Sequence, residues 1–464
     1  MNFNLIIICC KYTCYLYAYN SFWGLPILRL ACKFTMIIPS FIMKRIISFR
    51  RSSIIIFLIV SCFFMLVQCI NNESDTNEKN EEITSTTDTS KINFQQFAGS
   101  ATCANCHKKI YESHLHTSHF LTSRPANEKY IKGSFAKGKN IYPYYPGLFV
   151  AMEKRDSGMY QVAYSKGVER LARRFDIVMG SGAKGQTFLS WKGNSLFQLP
   201  ITYFTATNQW CNSPGYPDRI IFNRPVTSRC LECHSTYVNT ISAPGKEPEE
   251  YDHNQIIYGV DCEKCHGPAA KHVQYETENP KDTIGKFIIN PSMLSRQQNL
   301  DLCALCHGGR LQKTKPSFEF TAGDKLSDFF VPNTNSPSTK SIDVHGNQYG
   351  LLKESKCFRM SATMTCITCH NSHENERGKD ALFSQRCMTC HNKEHGTFCK
   401  INPSQVSSIN TNCINCHMPK QPSMSIAVVL PEDVVPTAAL IHTHLISIYP
   451  EETNKFIMGK KKSH

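Results

Sequence analysis

The chain has 464 residues, with 51 Lys+Arg against 37 Asp+Glu, and 41% of its residues are hydrophobic. That length allows two or three folded units, and the modest charged fraction with plentiful aromatics excludes wholesale disorder. The 23 cysteines and 18 histidines are the anomaly, because so many thiols are a liability in a reducing compartment unless they bind something.

In chain order, residues 1–69 read as a leader: Lys11, Arg29, Lys33, Lys44, Arg45, Arg50 and Arg51 fall there and no acid does. From Met43, a candidate start, four basic residues and an apolar run over 54–67 have the form of an export signal. The run is shorter than the ~20 residues of a membrane span. Cys69, followed by polar Asn71-Asn72-Glu73, and Cys62, preceded by small Ser61, are candidate lipidated termini. An ordinary signal peptide and an uncleaved anchor are the alternatives. The expectation is export to the periplasm or the outer membrane surface on a lipid anchor. Residues 70–93, rich in Asn, Glu, Thr and Ser, then form a flexible tether.

The next segment, 94–138, contains Cys103-Ala-Asn-Cys106-His107. The pentapeptide recurs as Cys230-Leu-Glu-Cys233-His234, Cys262-Glu-Lys-Cys265-His266 and Cys303-Ala-Leu-Cys306-His307. It returns as Cys366-Ile-Thr-Cys369-His370, Cys387-Met-Thr-Cys390-His391 and Cys413-Ile-Asn-Cys416-His417. Two thiols three positions apart reach both vinyl groups of one haem as thioethers, and the following imidazole becomes the proximal iron ligand. Zinc ribbons do not need a His after every second Cys, iron–sulfur sites favour tighter Cys runs, and a thioredoxin motif occurs once. Seven covalent haem c groups are therefore expected. The leader carries seven of the basic residues, and each oxidised haem brings roughly −1, so the mature protein is near neutral and no nucleic-acid partner is expected.

Residues 139–226 differ in character. Tyr160-Gln-Val-Ala-Tyr164, Thr187-Phe-Leu-Ser-Trp191 and Leu196-Phe-Gln-Leu-Pro-Ile-Thr-Tyr-Phe204 are β-branched and aromatic runs punctuated by Gly and Pro, a β-rich insertion. Gly180-Ser-Gly-Ala-Lys-Gly185 lacks the ending of a phosphate loop and reads as a turn. Trp210 with Ser213-Pro-Gly-Tyr-Pro-Asp218 reads as a turn over the haem cluster. Residues 227–420 hold six motifs with little helical periodicity between them, so short helices wrapped round stacked haems are expected. The fold class is then mainly α and irregular, with a β-rich insertion, and residues 421–464 form a tail supplying a distal His.

Four stretches carry a more specific resemblance. Gly99-Ser-Ala-Thr-Cys103 through His107, with Tyr111 and His119, resembles the opening of the multihaem cytochromes related to hydroxylamine oxidoreductase and its tetrahaem electron acceptor. Gly259-Val-Asp-Cys262 through Pro268 with His272, Cys366 through His373, and Cys413 through Lys420 are similar to the same superfamily, which spans roughly 97–450 here. The Cys-x-x-Cys-Lys of its nitrite-reducing members is absent, and so is an octahaem count. The resemblance implies His119, His272, His373 and His444 as distal ligands. His345 and His395 are added from their local setting, with His114, His116 and His253 open for the seventh seat. The His114/His116/His119 cluster has a proton relay or metal site as its other reading. Cys211, Cys357 and Cys399 read as buried thiols, with a disulfide pair or axial ligands as the alternatives, and the run Lys460-Lys461-Lys462 as solvated.

The expected function is electron transfer between redox protein partners, such as a membrane oxidoreductase or a quinol-linked complex. The competing reading is an oxidoreductase acting on a small nitrogen or sulfur compound at one five-coordinate haem. A third is a scaffolding subunit of a larger redox assembly.

Overall fold

The computed structural model describes residues 3–10, 13–20, 92–331, 342–401 and 409–461. The export signal from Met43, both candidate lipidation cysteines, most of the tether and His464 lie outside the described residues. Two compact units divide after Asp88. In the first, β1 (Phe3–Cys10) and β2 (Thr13–Asn20) pair as an antiparallel hairpin. The second, Thr89–His464, carries all seven pentapeptides.

The mainly helical expectation is overturned, because helix and strand are nearly balanced at 28% and 26%. The motif helices are short: Cys262–His266 and Cys413–His417 are five residues each. Gly267 leaves the first of these with a φ of +79°, a conformation that cannot continue a helix. Meanwhile, segments between motifs pair as strands that no local pattern announced.

Strand β3 (Ser123–Pro125) follows His119 closely. The meander β4 (Ile141–Tyr145), β5 (Leu148–Arg155), β6 (Gly158–Ser165) and β7 (Val168–Arg174) forms one antiparallel sheet. Beside it come β8 (Ile177–Met179), β9 (Gly185–Lys192), β10 (Ser195–Gln198), β11 (Ile201–Phe204), β12 (Gln209–Asn212) and β13 (Arg224–Pro225). They order as β12-β11-β9-β10-β13, with β8 pairing both β9 and β3. The β3–β8 register, Ser123 opposite Met179, ties the segment after the first motif to these sheets.

An aromatic core holds the insertion together. Phe175, Phe188, Phe204 and Trp210 are buried, and the Phe175 and Phe188 rings meet edge to face at 4.5 Å. Trp210 Nε1 donates to the Ser134 carbonyl at 2.8 Å. A Cβ at Gly133 would stand 2.1 Å from the same indole, so only glycine fits there. Trp210 thus belongs to the insertion core, not to a turn over the haem motifs.

After the insertion, β14 (Ser235–Thr240) pairs β15 (Tyr251–Tyr258) between the second and third motifs. Then β16 (Gln312–Lys313) pairs β17 (Phe330–Val331), and β18 (Lys420–Val428) pairs β19 (Thr437–His442) after the seventh motif. A helix, Pro450–Lys461, follows. Among the described residues no helix is long and apolar enough to cross a membrane.

Candidate haem centres

Each pentapeptide occupies about one helical turn. Cys103–His107 lies in helix Ser100–His114, Cys230–His234 ends helix Ser228–His234, and Cys303–His307 ends helix Arg296–His307. Residues three and four apart share a helix face, so the two thiols and the imidazole of one motif point the same way. None of the fourteen motif cysteines is spent in a disulfide.

The imidazoles show a common tether. A carbonyl can only accept, so a ring nitrogen facing one carries the proton and leaves the other nitrogen bare. Nδ1 of His266 donates to the Ile289 carbonyl at 2.9 Å, that of His391 to Thr397 at 3.3 Å, and that of His417 to Ser447 at 2.8 Å. His307 Nδ1 faces the Gln348 Oε1 at 3.1 Å, an amide held in that sense because its Nε2 donates to the Val344 carbonyl. Four proximal candidates thus present a bare Nε2, the arrangement of metal-bound histidines. Nδ1 of His234 is buried without a partner among the protein atoms.

The remaining histidines sort by the same criterion. His272 Nδ1 donates to the Lys286 carbonyl at 2.8 Å and His442 Nδ1 to Met418 at 2.5 Å, both leaving Nε2 free. His114 and His253 are the reverse. His114 Nε2 reaches the Val260 carbonyl at 3.2 Å and lies 3.7 Å from Asp261, while His253 Nε2 reaches the Gly193 carbonyl at 3.1 Å. His253 also stacks on Trp191 at 3.8 Å, far in character from a ligand site. His442, two residues before His444 at the end of β19, is a further candidate that sequence reasoning passed over. Its signal was the alternation His442-Thr443-His444, which puts both rings on one side of an extended chain.

Two imidazoles on opposite sides of one metal, each with nitrogen ~2 Å away, have ring centroids roughly 6 Å apart. Three pairs have this spacing: His266 with His373 at 6.0 Å, His119 with His307 at 6.2 Å, and His370 with His444 at 6.2 Å. In each, a proximal candidate meets a residue read as distal. His114 stands 6.4 Å from His373, but its Nε2 is already engaged. Burial, with His307, His114 and His370 nearby, pushes His119 down to about 4, and burial beside His370 pushes His444 to about 4. Burial also lowers His234, His266, His307, His370 and His373. Neutral rings are what metal ligation needs.

His345 lies within electrostatic reach of both His234 and His307. His395 is exposed on the turn after His391, its backbone N–H bonded to Asn392 Oδ1 at 2.8 Å, and His116 is exposed. His107 and His272 both lie near His266.

The third helix is positioned by a close backbone approach. A Cβ at Gly259 (φ +71°) would stand 2.3 Å from the Phe120 carbonyl oxygen, and the Val260 N–H donates to the His119 carbonyl at 2.9 Å. The segment bearing His119 is thereby laid against the third motif.

Thiols of different motifs also meet. Cys103 lies beside Cys262, Cys233 beside Cys306, and Cys303 beside Cys366. Arg386 Nη1 donates to the Cys369 carbonyl at 2.7 Å, joining the fifth motif to the sixth, and Cys413 N–H donates to Ser384 Oγ at 3.0 Å, joining the sixth to the seventh. Cys211 lies in the insertion core, its thiol pushed up to about 12 by burial, whereas Cys357 and Cys399 are only half-buried, against the expectation.

Paired thiols on single helical turns, with imidazoles of fixed tautomer meeting at one-metal spacing, fit covalent haem and define a multihaem c-type cytochrome. The sequence comparisons with the family model and the two curated relatives agree. The family model "Cytochrome c554 and c-prime" matches residues 220–267, the second motif and the third. The chain is 22% identical over 207 residues to the C-type polyheme cytochrome OmcC of Geobacter sulfurreducens, covering 40% of this chain and 25% of that one. It is 24% identical over 197 residues to the multiheme cytochrome MtrA of Shewanella baltica, covering 41% and 53%. The match thus spans a quarter and about half of these relatives. The crystal structure of the outer cell wall cytochrome OcwA aligns over 78% of this chain and 82% of that one at 16% identity, with a TM-score of 0.48. The chain is a multihaem c-type cytochrome, and covalently bound haem c is its cofactor.

Proposed function

We propose that the chain is an exported heptahaem cytochrome that carries electrons between redox protein partners through closely spaced, bis-imidazole haems. Haem c supplies a one-electron ferric/ferrous couple at each site. The fourteen motif thiols anchor the groups and the seven motif imidazoles bind from the proximal side. His373, His119 and His444 are assigned as distal partners of His266, His307 and His370. His272, His345, His395 and His442 are the candidates for the other four. The carrying observation is the set of imidazole pairs at 6.0–6.2 Å, because two protein ligands leave an iron no room for substrate.

Residues 94–138, 139–226, 227–420 and 421–464 are proposed as first haem segment, β-rich insertion, six-haem cluster and ligand-bearing tail. Export, a lipid anchor, location at the periplasm or outer membrane surface, and a membrane oxidoreductase or quinol-linked partner complete the reading, which rests on the signal-like sequence from Met43. The kinship with cytochromes related to hydroxylamine oxidoreductase rests on the four motif stretches quoted above. The test is a haem-to-protein ratio with a visible spectrum of the dithionite-reduced protein before and after carbon monoxide. A ratio of seven with no spectral change is expected. A change amounting to about one haem in seven would mean an open iron and replace electron carriage with catalysis at that site.

A further inference from the structure

Glu263 occupies a variable position inside the third pentapeptide, yet its side chain does not turn to solvent. It is 4% exposed, and its carboxylate accepts three backbone N–H groups: Ala98 at 2.8 Å, Gly99 at 2.9 Å and Ala269 at 2.9 Å. Ala98 and Gly99 lead into helix Ser100–His114, which carries the first motif, and Ala269 follows the third. One carboxylate therefore grips the start of one haem-bearing helix while sitting within another, 164 residues away in sequence. The charge also suits the positive end of the helix it holds. Four residues on from Gly99, Cys103 meets Cys262, the residue next to Glu263.

A second buried acid makes the same kind of join elsewhere. Glu376, 6% exposed, accepts the Asn371 N–H at 3.0 Å just after the fifth motif and receives both guanidinium nitrogens of Arg386, one residue before the sixth. Buried carboxylates are costly unless fully bonded, and both of these are bonded across a pair of motifs.

We propose that Glu263 is a positioning residue that sets the spacing and tilt of the first haem relative to the third, with the Glu376–Arg386 pair doing the same for the fifth and sixth. This inference rests on the multihaem reading above. Electron exchange between neighbours depends steeply on their separation, so a carboxylate that fixes two helices fixes a rate without touching either iron.

The test uses the full-length holoprotein and the variants Glu263→Ala and Glu263→Gln, read by haem-to-protein ratio and by electron paramagnetic resonance of the oxidised state. Both variants are expected to keep the wild-type ratio. Glu263→Ala should lose the spin-coupled signal of one haem pair and gain two isolated low-spin signals, and Glu263→Gln, which keeps one acceptor oxygen, should lose it in part. An unchanged coupled spectrum in Glu263→Ala would overturn the proposal. Loss of haem from both variants would overturn it too, by making Glu263 a requirement for folding and attachment instead of spacing. A wild-type ratio below two would sink the functional reading first, and is recognisable before any variant is made.

Discussion

At the scale of single residues, the discriminating feature is whether an imidazole is already engaged elsewhere. Burial favours the neutral rings of His119 and His444, which meet proximal candidates at 6.2 Å, whereas His253 is occupied by Trp191 and Gly193. His119→Ala and His444→Ala should each make one haem reactive to carbon monoxide, and His253→Ala should not; equal spectra for all three would break the assignment. Glu376 gives a pH prediction. The Arg386 guanidinium holds its carboxyl below the ordinary carboxylate range, so the ion pair stabilises fully above the unfolded value of ~4.3 and is lost as pH falls through the lower folded value. Glu376→Gln should cost about 2 kcal/mol at neutral pH, a charged hydrogen bond partly open to solvent at Arg386. Denaturant titrations of the two proteins should converge in acid; a gap independent of pH would mean that packing, not charge, is what the substitution removes.

At the scale of elements, the aromatic core of the insertion also takes in Val428 and Ala439 of the tail, and a second cluster packs Ile177, Leu189 and Leu196 against Leu231 of the second motif. Trp210→Ala should cost about 3–5 kcal/mol as a cavity among Phe175, Phe188 and Phe135. The visible spectrum at 25 °C should stay that of wild type, and a changed spectrum would show that the insertion supports a haem directly. Strands such as Thr187–Trp191 within β9 were legible because β-branched and aromatic residues cluster there between turn signals. Strands β18 and β19 were not, because Lys420–Val428 mixes polar and apolar residues round Pro422 and acquires its state only by pairing with 437–442. The pentapeptides were legible because covalent attachment demands fixed spacing. Their tethers were not: the carbonyl that orients His417 lies 30 residues on, and the one that orients His266 lies 23 residues on. His442 escaped notice for the same reason, since its tautomer is set by Met418, a backbone partner with no sequence signature.

At the scale of the molecule, contacts between motifs define an order that differs from the order in sequence. Cys103 meets Cys262, Cys233 meets Cys306, and Cys303 meets Cys366. Cys265 adds its field at Cys303, Arg386 links the fifth motif to the sixth, and Ser384 links the sixth to the seventh. The connected path therefore runs one, three, four, five, six, seven, and the second motif branches from the fourth. Cutting the branch and cutting the trunk should have different consequences. Cys230→Ala with Cys233→Ala removes the branch and leaves the remaining sites exchanging electrons as one set. Cys366→Ala with Cys369→Ala removes a trunk position and should split the remainder into a set of four and a set of two. Nuclear magnetic resonance of partly reduced samples reads this directly, because fast exchange averages the shifted haem signals within a set and leaves separate sets distinct. Identical averaging in both double variants would mean that electrons pass by routes the thiol contacts do not mark.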